Sequence, residues 1–269
     1  MNLLESFFLG ILQGVAEFLP ISSSGHLAVA KSLLHVQDVP ILYDIILHLA
    51  TLLSILIVYG KTVWRLLCTA VRFILRKTTD ADKSDLNFIA AILVATFFTA
   101  FIGFALKDIV ELLPVNVISL LFIVTGILLL LCDKIAENKS TDSLLPMRSA
   151  AIVGIVQGLA VFPGISRSGS TISAGLFCGI SRDRIAEFSF ILSIPSILGA
   201  FILDAAGNNA AALNVGAAEL AAGFGAALIT GVISLKLLTK VLQKAKLKVF
   251  SFYLIPLGII LFCYFSFFA

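Results

Sequence analysis

The sequence predicts an all-α integral membrane protein built as an inverted-topology repeat, with six transmembrane helices plus two re-entrant helical hairpins. Three observations predict it. Hydrophobic residues fill 59% of the 269 positions and charged residues only 13%, whereas a soluble globule carries about a quarter charged. The apolar runs are about 17 to 22 residues long and lack strand alternation, which suits helices crossing about 30 Å of hydrocarbon. Finally, Gly10 to His26, GILQGVAEFLPISSSGH, recurs at Gly154 to Ser170 as GIVQGLAVFPGISRSGS, identical at 10 of 17 positions, where about one match is expected by chance.

The first element, Leu3 to Leu19, carries Glu5, Gln13 and Glu17 within an apolar run and stops at Pro20 and the Ser22-Ser23-Ser24-Gly25 turn. Its start, MNLLESFFLG, lacks the basic region of a cleaved signal peptide and reads as part of this helix. The next apolar piece, His26 to Leu34, is too short to cross a bilayer. Helix, polar break and short helix together predict a hairpin that enters and leaves by one face. Irregular backbone at that depth is tolerated only where it is buried in protein or lines a wet cavity, so the break is a candidate site.

Three spans follow, at about Leu42 to Tyr59, Leu86 to Leu106 and Val115 to Cys132. A polar linker, Asp133 to Arg148, then separates the halves. The second half repeats the plan, with a hairpin from Ser149 to Gly179 broken at Pro163 to Ser170, and spans near Ile185 to Leu203, Gly216 to Leu235 and Val249 to Phe268. Each half crosses three times, and an odd unit repeated in tandem emerges upside down. The expectation is a single membrane domain of two repeats, about 1–132 and 149–269, joined by a cytoplasmic linker 133–148.

Basic residues support that count. Sixteen of the nineteen Lys and Arg residues fall in loops on one predicted side, Lys31 and Lys107 fall on the other, and Arg167 lies in the repeated motif. The positive-inside rule then puts both termini outside. Because topology accounts for the basic residues, the net charge of +3 does not point to nucleic acid. Lys61 to Lys77 reads as an amphipathic, basic helix extension on the anionic inner leaflet. The four cysteines stand singly in or beside apolar runs and read as packing residues.

In each copy a Ser-rich turn precedes a new helix, so unpaired N–H groups and a helix dipole point at the break and make an anion site. Ser22, Ser23 and Ser24 on one side, with Ser166, Ser168, Ser170 and Thr171 on the other, add hydroxyl donors. Arg167 adds a planar fork suited to two phosphate oxygens. An arginine inside an apolar segment costs at least about 2.5 kcal/mol unless paired or solvated, which favours function over a purely structural ion pair.

Glu17 lies one turn after Gln13 on the same face. It is placed to act as a base, or with a phosphate to hold a divalent cation, or simply to pair with Arg167. His26 could relay a proton or attack phosphorus itself. Ser23 is the second candidate nucleophile, and helix capping explains it equally well. Asp44 and His48 share a helix face by their i, i+4 spacing and are candidates for an outer shell, with interfacial placement as the alternative. The pairs Gly10/Gly14 and Gly154/Gly158 read as close helix packing.

The segments Gln13 to His26 and Pro163 to Thr171 resemble the two signature regions of the undecaprenyl-pyrophosphate phosphatase family, the bacitracin-resistance membrane phosphatases of bacteria. The resemblance covers essentially the whole chain. Gln13 and Glu17 match the family's E/Q-xxx-E pattern in its amide version, and Ser22, Ser23 and His26 match its Ser-Ser and His. Pro163, Gly164, Ser166, Arg167, Ser168 and Thr171 match P-G-x-S-R-S-x-x-T.

The resemblance implies hydrolysis of undecaprenyl diphosphate to undecaprenyl phosphate plus inorganic phosphate, recycling the carrier lipid of cell-wall synthesis. It implies help from Mg²⁺ or Ca²⁺, held by Glu17 and the lipid's own diphosphate, and residence in the bacterial cytoplasmic (inner) membrane. The sequence leaves a homodimer open. The competing reading is a polyprenyl-phosphate translocase, because inverted repeats with broken helices around a midplane anion site are a usual transporter plan. Against it, the acid Glu17 and the imidazole His26 occur in one copy alone, facing Val161 and Ser170 in the other.

Overall fold

The structure, a computed structural model, describes residues 1–34, 41–135, 144–206, 215–244 and 246–268. Every regular element among them is helical: α1 Leu3–Phe18, α2 Ser23–Leu33, α3 Ile41–Ile74, α4 Lys83–Glu111, α5 Val115–Ile135, α6 Met147–Leu159, α7 Arg167–Phe177, α8 Arg182–Ala206, α9 Ala217–Lys244 and α10 Lys248–Phe267. Six of these (α3, α4, α5, α8, α9 and α10) are long and apolar enough to cross a membrane. The chain is therefore a multi-pass helical membrane protein, and the six are the spans expected from the sequence.

Local chemistry sets the ends of the short helices. Asn2 and Glu5 form a reciprocal capping box, with Glu5 N–H donating to Asn2 Oδ1 at 2.9 Å and Asn2 N–H to Glu5 Oε2 at 2.7 Å. At its other end Leu19 turns extended ahead of Pro20. Ser22 and Ser166 cap α2 and α7, accepting from Gly25 N–H and Gly169 N–H. Each break is consequently shorter than expected: Ser23, Ser24, Arg167, Ser168 and Ser170 lie in the first turns of these helices, because the capping serine starts each helix early.

Close packing follows the small residues. α1 lies along α9 and α6 along α4, while α3 packs on α9 and α8 on α4. A methyl added at Gly10 would strike the Gly223 backbone, and one at Gly154 the Ala95 backbone, so both glycines permit backbone-to-backbone approach. α5 and α10 run side by side and are joined at one end by Asp133. Its carboxylate accepts from Arg182 at 3.0 Å and from Lys248 N–H at 2.7 Å.

Asp133 was expected to open the linker and instead belongs to α5, because these two donors hold it buried. Residues 136–143 of the expected linker lie outside the described residues. α3 continues through the basic stretch as far as Ile74, with non-helical angles at Tyr59, and Arg72 is paired there with Asp82.

Candidate active site

The two breaks meet. Gly164 N–H, in the second, donates to Ser22 Oγ of the first at 3.0 Å, and a methyl at Gly25 would lie 2.7 Å from Gly164 N. Gly164 itself has φ +97, a conformation that favours glycine. Thr125 of α5 holds this second break from below. Its hydroxyl donates to Gly164 O at 2.9 Å and accepts from Ser166 N–H at 3.1 Å. Sequence reasoning missed Thr125, since a lone threonine in an apolar span carries no distinguishing pattern.

Where the breaks meet, α1 contributes Glu17, buried, with its carboxylate surrounded by donors. Gln13 Nε2 donates to Oε2 at 3.0 Å and Ser23 Oγ to the same oxygen at 2.6 Å. Arg167 Nη2 donates to Oε1 as an ion pair. The i, i+4 spacing puts Gln13 beside Glu17, and the first turn of α2 returns Ser23 to it. Arg167 comes from the other half of the chain.

Glu17, Ser23 and Arg167 sit on the wall of a cavity of about 940 Å³. Glu17, Ser22, Ser23, Ser24, Ser166 and Arg167 form its polar end. Gln157, Thr99 and Ser196 continue a polar seam, linked by Gln157 Nε2 donating to both hydroxyls at 3.1 and 2.9 Å. Beyond them the wall is Phe97, Phe101 and Phe104 of α4 and Phe201 and Leu203 of α8. The three phenylalanines and Leu203 are exposed on the outer flank of the molecule, so the polar end communicates with the surface that faces lipid.

Other expected site residues are placed elsewhere. His26 is not on the cavity wall. Its Nδ1 faces Ser22 O at 2.8 Å and must donate, since a carbonyl can only accept, so Nε2 accepts from Tyr253 OH at 2.8 Å. The expected catalytic residue His26 thus has its Nε2 turned to Tyr253 in this arrangement, away from the cavity.

Ser168, Ser170 and Thr171 also lie off the wall, because beyond Arg167 this turn of α7 faces protein. Thr171 Oγ1 bonds Ser189 Oγ at 2.6 Å, Ser168 Oγ reaches Leu19 O at 3.4 Å, and Ser170 is buried. Gln13 touches Glu17 from behind the wall.

His48, expected only in an outer shell, lines the cavity. Its Nδ1 donates to Asp44 O at 2.8 Å, which leaves Nε2 3.7 Å from Glu17 Oε2. Asp44 is held in turn by Lys31 Nζ at 2.6 Å.

The fold and this centre define a class of protein: a multi-pass helical membrane protein with a carboxylate, a hydroxyl and a guanidinium converging at one end of a cavity whose other wall is apolar and exposed. The family model described as "Bacitracin resistance protein BacA" matches residues 6–260, and the chain belongs to that family. It is 47% identical to the undecaprenyl-diphosphatase of Treponema denticola over 269 residues, covering 100% of both chains. It is 40% identical to that of Borrelia hermsii over 258 residues, covering 95% and 96%. With that of Methanosphaera stadtmanae the identity is 37% over 270 residues, covering 97% of each.

Proposed function

We propose that this protein hydrolyses undecaprenyl diphosphate to undecaprenyl phosphate and inorganic phosphate. The activity named for its relatives supports this reading, and one local observation carries it: Ser23 Oγ donates to Glu17 Oε2 at 2.6 Å on a cavity wall that also holds Arg167. The N–H groups opening α2 and α7, with the Arg167 fork, bind the distal phosphate and stabilise the charge that develops on its oxygens. Ser23 Oγ attacks the distal phosphorus and its proton passes to Glu17. The Oγ–P bond forms as the bond to the bridging oxygen breaks, and the electron pair leaves on undecaprenyl phosphate. Water then attacks the phosphoserine: its oxygen bonds to phosphorus as the Oγ–P bond breaks, Glu17 returns its proton to Ser23 Oγ, and inorganic phosphate departs with the water's protons. The tail lies along Phe97, Phe101 and Phe104.

The residues fit a protein-held metal poorly. Among the described residues no three His, Cys, Asp or Glu side chains come together, and both Glu17 oxygens already accept from Gln13, Ser23 and Arg167. In this reading Mg²⁺ or Ca²⁺ is carried by the diphosphate, whose charge it would offset.

The architecture behind the reading is an inverted repeat with two re-entrant hairpins in a single domain. What supports it is reciprocity: α1 packs on α9 as α6 packs on α4, and α3 packs on α9 as α8 packs on α4. With 16 and 13 residues, α1 and α6 are roughly 24 and 20 Å long, short of a bilayer's 30 Å. The distribution of Lys and Arg supports both termini outside the cytoplasmic membrane. A pure translocase accounts neither for a hydroxyl set on a carboxylate nor for its presence in one copy alone.

The test uses purified protein in detergent, where no compartments exist. It is expected to release phosphate from undecaprenyl diphosphate in the presence of Mg²⁺, and acid quenching is expected to trap phosphate on Ser23. Absence of release together with lipid flipping in vesicles, or normal turnover by Ser23→Ala, would overturn the reading.

A further inference from the structure

We propose that Tyr253, on α10 and off the cavity wall, is a positioning residue for Ser23, acting through the His26 ring on the backbone of Ser22. The inference rests on the reading of Ser23 as nucleophile. Ser22 has φ 70 and ψ 93, an uncommon conformation for a residue with a Cβ, which persists only where its surroundings over-determine it. Those surroundings are visible. Ser22 Oγ accepts from Gly164 N–H at 3.0 Å, and Ser22 O accepts from His26 N–H at 3.2 Å and from His26 Nδ1–H at 2.8 Å.

The ring that supplies the last of these is fixed on its other side. Tyr253 OH donates to Nε2 at 2.8 Å, the two rings stack at 5.7 Å and 14°, and Phe122 meets the imidazole edge-on at 4.8 Å. Nδ1–H is committed to the Ser22 carbonyl, and Tyr253 OH satisfies the Nε2 lone pair that this tautomer leaves, so the phenol holds the ring in the tautomer and orientation that grip Ser22. Ser22 immediately precedes Ser23, so its ψ sets where the nucleophile's Cα–Cβ bond points. Tyr253, His26 and Ser22 form a column from α10 to the reacting hydroxyl.

The second copy of the motif is an internal control. Its capping serine, Ser166, has φ −75 and ψ 115, ordinary extended backbone. The position matching His26 is Ser170, a small side chain whose buried hydroxyl has no hydrogen-bond partner. The column is present where the backbone is unusual and absent where it is not. A ring that merely filled space between α2, α5 and α10 would serve either copy equally.

The experiment compares kcat and KM for phosphate release by Tyr253→Phe, His26→Asn, His26→Phe and the double variant Tyr253→Phe/His26→Phe. Removing the Tyr253 hydroxyl alone is expected to lower kcat about fivefold, within the range of one lost hydrogen bond, with KM changed less than about twofold. His26→Phe fills the volume without a donor and is expected to lose about 100-fold in kcat, as misplaced reacting groups do. His26→Asn, which keeps an N–H near the Nδ1 position, is expected to stay within about tenfold of wild type. In the double variant the Tyr253 substitution is expected to cost nothing further, because its route to Ser23 is already cut.

Wild-type kcat in Tyr253→Phe, wild-type kcat in His26→Phe, or independent multiplication of the two losses would overturn the inference. Normal turnover by Ser23→Ala would instead defeat the reading beneath it, so the two failures are distinguishable.

Discussion

Glu17 and Arg167 are separated by 150 residues in the chain and share a buried ion pair. The carboxylate comes from one copy of the duplicated motif and the guanidinium from the other, so neither copy alone contains both charges. The pairing also explains how an arginine is kept inside an apolar protein, since an unpaired charge there would cost several kcal/mol. When a diphosphate arrives, the same fork faces two kinds of oxygen: Glu17 Oε1 and the phosphate.

The first prediction concerns that fork. Arg167→Lys keeps the charge but replaces a planar, two-pronged donor with a point ammonium. Phosphate release is expected to fall at least about 100-fold in kcat/KM, the order found when one transition-state donor is removed. The measurement is steady-state release from a polyprenyl diphosphate in detergent. Near-normal turnover would mean that the phosphate is bound elsewhere on the cavity wall.

The second prediction separates the two histidines. His48 Nε2 faces the cavity 3.7 Å from Glu17, whereas both His26 nitrogens are engaged away from it. His48→Ala is expected to reduce kcat by about tenfold, less than the roughly 10²–10⁴-fold that a group transferring the proton itself contributes. Phosphate trapped by acid quenching is expected to remain on serine in this variant. An acid-labile, alkali-stable phosphoryl group recovered on His26 after an alkaline quench would show that the ring turns toward substrate during the reaction.

The contrast between these histidines shows what could be read from the chain and what could not. The two breaks, the six spans and the meeting of Glu17 with Arg167 follow from composition, punctuation by Pro and Ser, and a duplication visible at 10 of 17 positions. The direction of a side chain at a break does not follow. Whether His26 looks into the cavity depends on Tyr253, 227 residues away, and no local pattern links the two. The same holds for Thr125, whose hydroxyl bridges Gly164 and Ser166. Ser168, Ser170 and Thr171 were expected at the phosphate because motif residues read alike as letters. Ser168 is turned about 100° from Arg167 around α7, while Ser170 and Thr171, one turn further along the same face, sit deeper in the protein, where Thr171 meets Ser189.

The third prediction tests the packing of α6 against α4. A methyl at Gly154 would meet the backbone of Ala95, which cannot rotate aside, whereas Gly225 has nothing within 4 Å of the same position. Gly154→Ala is expected to destabilise the protein by about 1–3 kcal/mol, the usual cost of overpacking a close contact. Gly225→Ala, also within a helix, is expected to leave stability unchanged or slightly higher, since alanine is the better helix former. Thermal unfolding of the purified proteins in one detergent is the measurement. Equal Tm values for the two variants would show that α4 and α6 are not held at the distance seen here.

The last prediction concerns the apolar part of the cavity. Gly103 on α4 and Gly199 on α8 both line it, and an added Cβ at either would meet nothing within 4 Å. A leucine at either position can therefore enter the cavity without first striking the protein, narrowing the corridor between the polar end and the Phe97, Phe101 and Phe104 wall. If the prenyl tail occupies that corridor, Gly199→Leu raises KM for a long polyprenyl diphosphate by roughly tenfold, since uncovering about two carbons of the tail forfeits about 0.8 kcal/mol for each. A short-chain prenyl diphosphate, whose tail ends before the constriction, is expected to keep its KM within about twofold. The ratio of the two KM values is the readout, because a general loss of folding would scale both substrates together. An unchanged ratio would place the tail outside the groove between α4 and α8, with the diphosphate reaching Arg167 by another path.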